Sequence, residues 1–268
     1  MKNNILFILI LSSINLYPQE NLLLNPDFEE YDNLPMDDTP DGVSYAKYWY
    51  VPDDCSPNYY HKDCLYPYYQ AFNNQYGNPP AYSGEAYIGI FPFIWSGYME
   101  HLTGILKTPL VKGSKYIVTF FIRYAGNSCR YGVREIGVHF SKEKNPLNSY
   151  TPPFYSDLIT SEIKAHVATK SDEALFNDSS WIKVNGVYLA KGGEKYITLG
   201  KFYDEIISPG LIAKYNRVQF DENKKGRFIE KHDNILPLNP RYNSNLNYHV
   251  EAPYYFIDDV SVVLDTTQ

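Results

Sequence analysis

Cysteine is scarce in this chain, basic runs are missing, and after the first nineteen residues no apolar stretch is long enough to cross a bilayer as a helix. Each absence excludes something. The three cysteines, Cys55, Cys64 and Cys129, show neither CxxC spacing nor a Cys/His ligand pattern, which removes a zinc site. With 24 Lys and Arg against 31 Asp and Glu, a net charge of −7 argues against nucleic acid or an anionic membrane as partner. There is no P-loop, GxSxG elbow, HExxH or GxGxxG. The six histidines are scattered without ligand spacing, and no enzyme is expected; the alternative is a glycoside-active enzyme, whose carboxylate pair need only meet in space and leaves no motif.

What is present begins with "MKNNILFILILSSINLYPQ", a lysine followed by an apolar run and a more polar end. That order reads as a secretory signal peptide over residues 1–19, with a single exported domain over 20–268 and no transmembrane segment in the mature chain. Tyrosine is abundant, at 27 residues. Aromatic surfaces with a polar edge suit sugar rings, but tyrosine is also a good strand former, and most of these residues are expected to pack.

Strand-like stretches recur throughout. "KYIVTFFIRY" (115–124) alternates, with Tyr116, Val118, Phe120, Ile122 and Tyr124 on one face and Phe121 and Arg123 on the other. "REIGVHF" turns Ile136, Val138 and Phe140 inward and His139 outward. "AYIGIF", "WIKVNGVYLA" and "KYITLGKFY" continue the pattern, with turn chemistry in "VKGSK" and "AKGGEK". The fold class predicted is all-β, an antiparallel β-sandwich. Residues 141–180 and 204–253 are too long and polar for hairpin loops and read as insertions, the first with room for a short helix in "SDLITSEIKAHVA".

The closing stretch "YYFIDDVSVVL" (254–264) places two carboxylates inside a strongly apolar strand. Strict alternation predicts that Phe256, Asp258, Val260, Val262 and Leu264 share one face, with Asp259 on the other. A buried Asp258 needs a cation or hydrogen-bond donors.

The ordered pieces "NLLLNPDFEE", "YAKYWYVP", "AYSGEAYIGIF", "LKTPLVKGSKYIVTFFI", "WIKVNGVYLAKGGEKYITLGKF" and "YYFIDDVSV" resemble the secreted jelly-roll, galactose-binding-like domains of Bacteroidetes, which share their architecture with carbohydrate-binding modules. The resemblance implies a jelly-roll sandwich, a non-catalytic module binding a polysaccharide or glycoconjugate at the cell surface, and a structural calcium ion. Its metal ligands correspond to Glu29 and Asp258, with Glu85 as a third candidate. The competing expectation is a structural or adhesive protein whose partner is another cell-envelope protein. Candidate sugar-contacting residues are Phe121 and Arg123, with His139 beside them if their strands pair, and Trp95 and Tyr98 at a loop rim; Trp49 and Trp181 are expected in the core. In an oxidising compartment Cys55 and Cys64 are placed to close a loop disulfide, although other pairings with Cys129 stay open.

Overall fold

The computed structural model of the chain describes residues 19–36, 45–52, 55–92, 99–126, 131–144, 163–169, 175–202, 229–231 and 253–267. The expected leader up to residue 18, Trp95, Tyr98, Cys129 and most of both long insertions lie outside the described residues. The strands in chain order are β1 (Trp49–Tyr50), β2 (Asn58–His61), β3 (Ala86–Ile90), β4 (Leu102–Ile105), β5 (Lys115–Tyr124), β6 (Tyr131–Val133), β7 (Gly137–Ser141), β8 (Val167–Ala168), β9 (Ile182–Leu189), β10 (Tyr196–Gly200), β11 (Ile229–Lys231) and β12 (Tyr255–Leu264). One five-stranded sheet runs β1-β4-β10-β7-β8 and the other β2-β3-β12-β5-β9, while β11 pairs with β6. The paired strands are antiparallel, as expected of a β-sandwich.

Alternation explains which face each strand buries. Tyr116, Val118, Phe120, Ile122 and Tyr124 of β5 are buried, whereas Lys115 is exposed and Ile117, Thr119 and Arg123 are half-buried. In the other sheet Val138 and Phe140 of β7 lie opposite Leu199 and Ile197 of β10, and all four are buried. The sheets meet through side chains such as Phe140 and Tyr188 of β9, whose rings stack 4.4 Å apart.

The outer face of the second sheet is not left to solvent. Residues 62–85 lie over it and build a second buried layer from tyrosines. Tyr76 stacks on Tyr254 at 3.8 Å, and the rings of Tyr60, Tyr87 and Phe256 pack edge to face or tilted beside them. A buried tyrosine needs a partner for its hydroxyl. Here the Tyr60 and Tyr254 hydroxyls bond each other at 2.8 Å, Tyr254 also donates to Asn58 Oδ1, and Asn74 donates to the Tyr87 hydroxyl. Much of the tyrosine excess is thus structural.

Strict alternation fails in β12. The register against β5 shifts between Asp258 and Ser261, and Asp259 adopts a left-handed φ of 48°. This is a β-bulge, and it re-phases the strand. Before it, Asp258 lies opposite Phe121 and shares the outer face with it; after it, Val262 lies opposite Val118 and faces the sandwich interior. Asp258 therefore does not point the way the valines point, although it is fully buried.

The stretch "NPDFE" is a side-chain-closed turn. Asn25 and Phe28 both have positive φ, 47° and 63°. Asn25 is buried, its amide donates to the carbonyls of Glu30 and Lys47, and its Oδ1 accepts the N–H of Glu30 at 2.9 Å. Its own carbonyl accepts the indole N–H of Trp49 at 2.7 Å. Trp49 is in the core, as expected.

The structure does not join Cys55 to Cys64. The Cys55 sulfur sits against the backbone of His101, and Cys64 donates to the Pro35 carbonyl.

Replacing Asn25 by Ala removes the side-chain partners of the Lys47 carbonyl and the Glu30 N–H, while the Glu30 carbonyl keeps the Lys47 N–H. The expected loss is about 2–4 kcal/mol in a urea titration, against a few tenths for an exposed Asn→Ala change such as one at Asn185.

Candidate functional site

Two carboxylates from opposite ends of the described chain converge on one turn. Asp258 Oδ2 accepts the backbone N–H groups of Tyr82 (2.7 Å) and Ser83 (3.1 Å), and its Oδ1 accepts that of Asp259 (2.7 Å). Glu29 Oε1 accepts the N–H groups of Glu85 (2.7 Å) and Ala86 (2.8 Å). Between these pairs Gly84 sits at φ +59°, and a Cβ there would fall 2.2 Å from Glu29 Oε1, so the position needs glycine on two counts. The buried Asp258 is thus satisfied by backbone donors. Burial still outweighs them and pushes its pKa up to about 8, making it a weaker acid, with the neighbouring Asp259 a smaller contribution in the same direction.

The clamped turn carries Tyr82 onto the sheet. The Tyr82 ring stacks on Phe121 with centroids 3.5 Å apart and planes 16° from parallel. Phe121 is covered, whereas Tyr82 is 44% exposed, so the stack leaves the outer face of Tyr82 open. Trp181, just before β9, stands at 73° to it with centroids 6.4 Å apart, its indole N–H donating to the Pro80 carbonyl at 3.0 Å. Arg123, two residues beyond Phe121 on the same face, donates through Nε to the Asp178 carbonyl at 2.9 Å. Lys183 lies directly opposite Phe121 across the β5–β9 pair and is exposed. The result is a right-angled aromatic corner with two cationic side chains on its face.

The expected residues divide between this corner and elsewhere. Phe121 and Arg123 belong to it, Phe121 as the hidden base and not as a contact surface. His139 does not. It was expected beside them through a β5–β7 pairing, but β5 lies between β12 and β9, and β7 lies between β10 and β8 in the other sheet. There His139 ends a row that crosses four strands, Tyr50, Thr103, Thr198 and His139, with the two threonine hydroxyls 2.8 Å apart. Trp181 is half-buried and part of the corner, not a core residue. Glu85 gives the clamp only its N–H; its carboxylate pairs with Lys62 and lies in a cluster with His61 and Asp63 whose ligand atoms are within 4.8 Å of one another. Tyr82 was not anticipated. Its signal was in "NPPAYSGEAY", where an aromatic residue between Pro-Pro and Ser-Gly sits in a turn and so cannot enter a strand core.

The chain matches no family model and no curated protein sequence. Among solved structures, the CBM22-1 xylan-binding domain of Paenibacillus barcinonensis Xyn10C aligns at 10% identity over 89% of this chain and 90% of its own, with a TM-score of 0.36. A candidate sugar-binding protein of Bacteroides thetaiotaomicron aligns at 10% identity over 92% of this chain and 100% of its own, TM-score 0.36. The K1 cleaved adhesin domain of Lys-gingipain from Porphyromonas gingivalis aligns at 11% identity over 82% and 92%, TM-score 0.35. At such identities the functional reading rests on the geometry of the site.

On the other sheet His139 and His166 stack 4.4 Å apart, His139 Nδ1 is 2.8 Å from the Lys164 carbonyl, and His166 Nδ1 accepts the Phe140 N–H. Burial first, then His139 and Lys191, holds His166 down to about 4, with Glu194 opposing. A depressed histidine favours the folded state above its ordinary value of 6.5, and that contribution is lost as pH falls toward 4. Asp258, raised in the folded state, acts in the opposite sense over this range, so the His166 contribution is read as a difference: between pH 6.5 and 4 the native protein should lose melting temperature relative to His166→Phe.

Proposed function

We propose that the protein is a non-catalytic, exported glycan-binding module whose contact surface is the Tyr82–Trp181 corner. The observation that carries this reading is the open face of Tyr82, backed by Phe121 and walled by Trp181. A pyranose ring presents C–H groups that pack on such a face while its hydroxyls meet donors at the rim. The groups gathered there are stacking surfaces and N–H donors, chemistry that holds a ring and does not cleave a bond. The residue bearing the platform is held by backbone hydrogen bonds to buried Asp258, so little ordering cost remains for binding.

A structural calcium ion at the clamp is part of the proposal. Glu29 Oε1 and Asp258 Oδ2 each already accept two N–H groups, but Glu29 Oε2 and one lone pair of Asp258 Oδ1 are left over. Ser83 Oγ, in the same turn, is buried without a hydrogen-bond partner. These oxygens suit a hard cation, which would offset the cost of burying Asp258. Glu85 is not among them.

Affinity electrophoresis through soluble polysaccharides tests the first part. At least one glycan should retard the protein, and Tyr82→Ala should weaken that retardation about tenfold or more, roughly 1.4 kcal/mol, while the variant stays folded with a melting temperature lowered only by the loss of the stack on Phe121. Unaltered retardation in the variant would remove the corner as the site. For the ion, chelator should lower the melting temperature of the native protein and leave that of Asp258→Ala unmoved. A melting curve indifferent to both chelator and added calcium would show that backbone donors alone satisfy the clamp.

A further inference from the structure

Two cations, Arg123 and Lys183, stand on the corner. Among the described residues no carboxylate lies within ion-pairing distance of Arg123 or Lys183. Arg123 is half-buried, and burial holds its guanidinium below the ordinary value, with Asp178 acting against this from beyond pairing distance. Its Nε is committed to the Asp178 carbonyl, which fixes the fork in place, and the Nη donors on its far side are left unused. A guanidinium so held matches a planar carboxylate better than a hydroxyl. Lys183 adds a second positive charge one strand pair away, across from Phe121. The setting sharpens the point, since the chain carries −7 overall and would repel a polyanion anywhere that lacked a local positive site.

We infer that the corner selects carboxylated sugars: a uronate ring stacks on Tyr82 against Trp181, its carboxylate engages Arg123, and Lys183 steers and flanks it. This rests on the glycan-binding reading and narrows it to a substrate class. Asp178 is the acid whose charge is felt at Arg123. It is exposed, its side chain lies beside Gly126, and its carboxylate makes no ion pair with the guanidinium.

The test compares polygalacturonate with the same polymer fully methyl-esterified, which keeps the sugar ring and removes the charge, alongside neutral xylan, in about 0.15 M salt so that diffuse attraction is screened. The free acid should bind at least about tenfold more tightly than the ester. Arg123→Gln should bring the acid down to the level of the ester, and Lys183→Gln should lower it by a smaller factor. Lys183 is exposed, so its variant keeps the test available if Arg123→Gln unfolds. Equal binding of acid and ester, or an acid preference that survives both substitutions, would overturn the inference. Retention of xylan with loss on Tyr82→Ala, but no uronate preference, would overturn it while leaving the glycan reading in place; no retention of any glycan would remove both.

Discussion

The structure depends on one arrangement: two carboxylates, supplied by the first and last described segments, gripping the N–H groups of a single turn. Glu29 takes Glu85 and Ala86, and Asp258 takes Tyr82 and Ser83. Four N–H groups of one part-buried turn, two on each side of Gly84, are satisfied at once. The turn in turn fixes where β3 begins, and β3 is the strand on which β2 and β12 both register. Remove either acid and the loss is not one contact but the seating of a layer.

The same clamp explains why a buried acid and an exposed aromatic belong together. Asp258 lies opposite Phe121 on β5, and the turn it grips lays Tyr82 on that same Phe121. A loop aromatic ordinarily loses rotamer and backbone freedom when it meets a ligand. Here the backbone has lost that freedom on folding. The corner is therefore a surface built from below, by a buried acid, backbone donors and a phenylalanine that Tyr82 covers.

Much of this architecture was legible in the sequence because period-two alternation is a strong signal. "KYIVTFFIRY" predicts β5 to the residue, and Ile136, Val138 and Phe140 are inward as read. The short strands β1, β2 and β4 span two to four residues, too few to display a period. Asp258 was identified as the residue demanding compensation, but its facing was misread, since alternation cannot register a bulge whose only mark is the left-handed backbone of Asp259. His139 was placed beside Phe121 because residues close in sequence often pair, whereas a sandwich sends neighbouring strands to opposite sheets. Tyr82 escaped notice and Trp181 was assigned to the core because a site assembled from a turn and the approach to a distant strand leaves no local pattern.

The last strand is also the middle one. β12 lies between β3 and β5, and the N-terminal segment then bonds to its second half, Leu22 to Val262 and Asn21 to Val260 and Val262, across more than two hundred residues. Contacts of such sequence separation slow folding, because the loop must close before the strand is rewarded. During synthesis β3 and β5 are complete long before their common neighbour exists, so each waits with an open, apolar edge of unpaired N–H and C=O groups. The second sheet of such a chain is completed late, whereas every strand of the first is available by Gly200. Until residue 264 is available, the nascent sheet is in effect a slot for a strand, open to any extended segment that reaches it first.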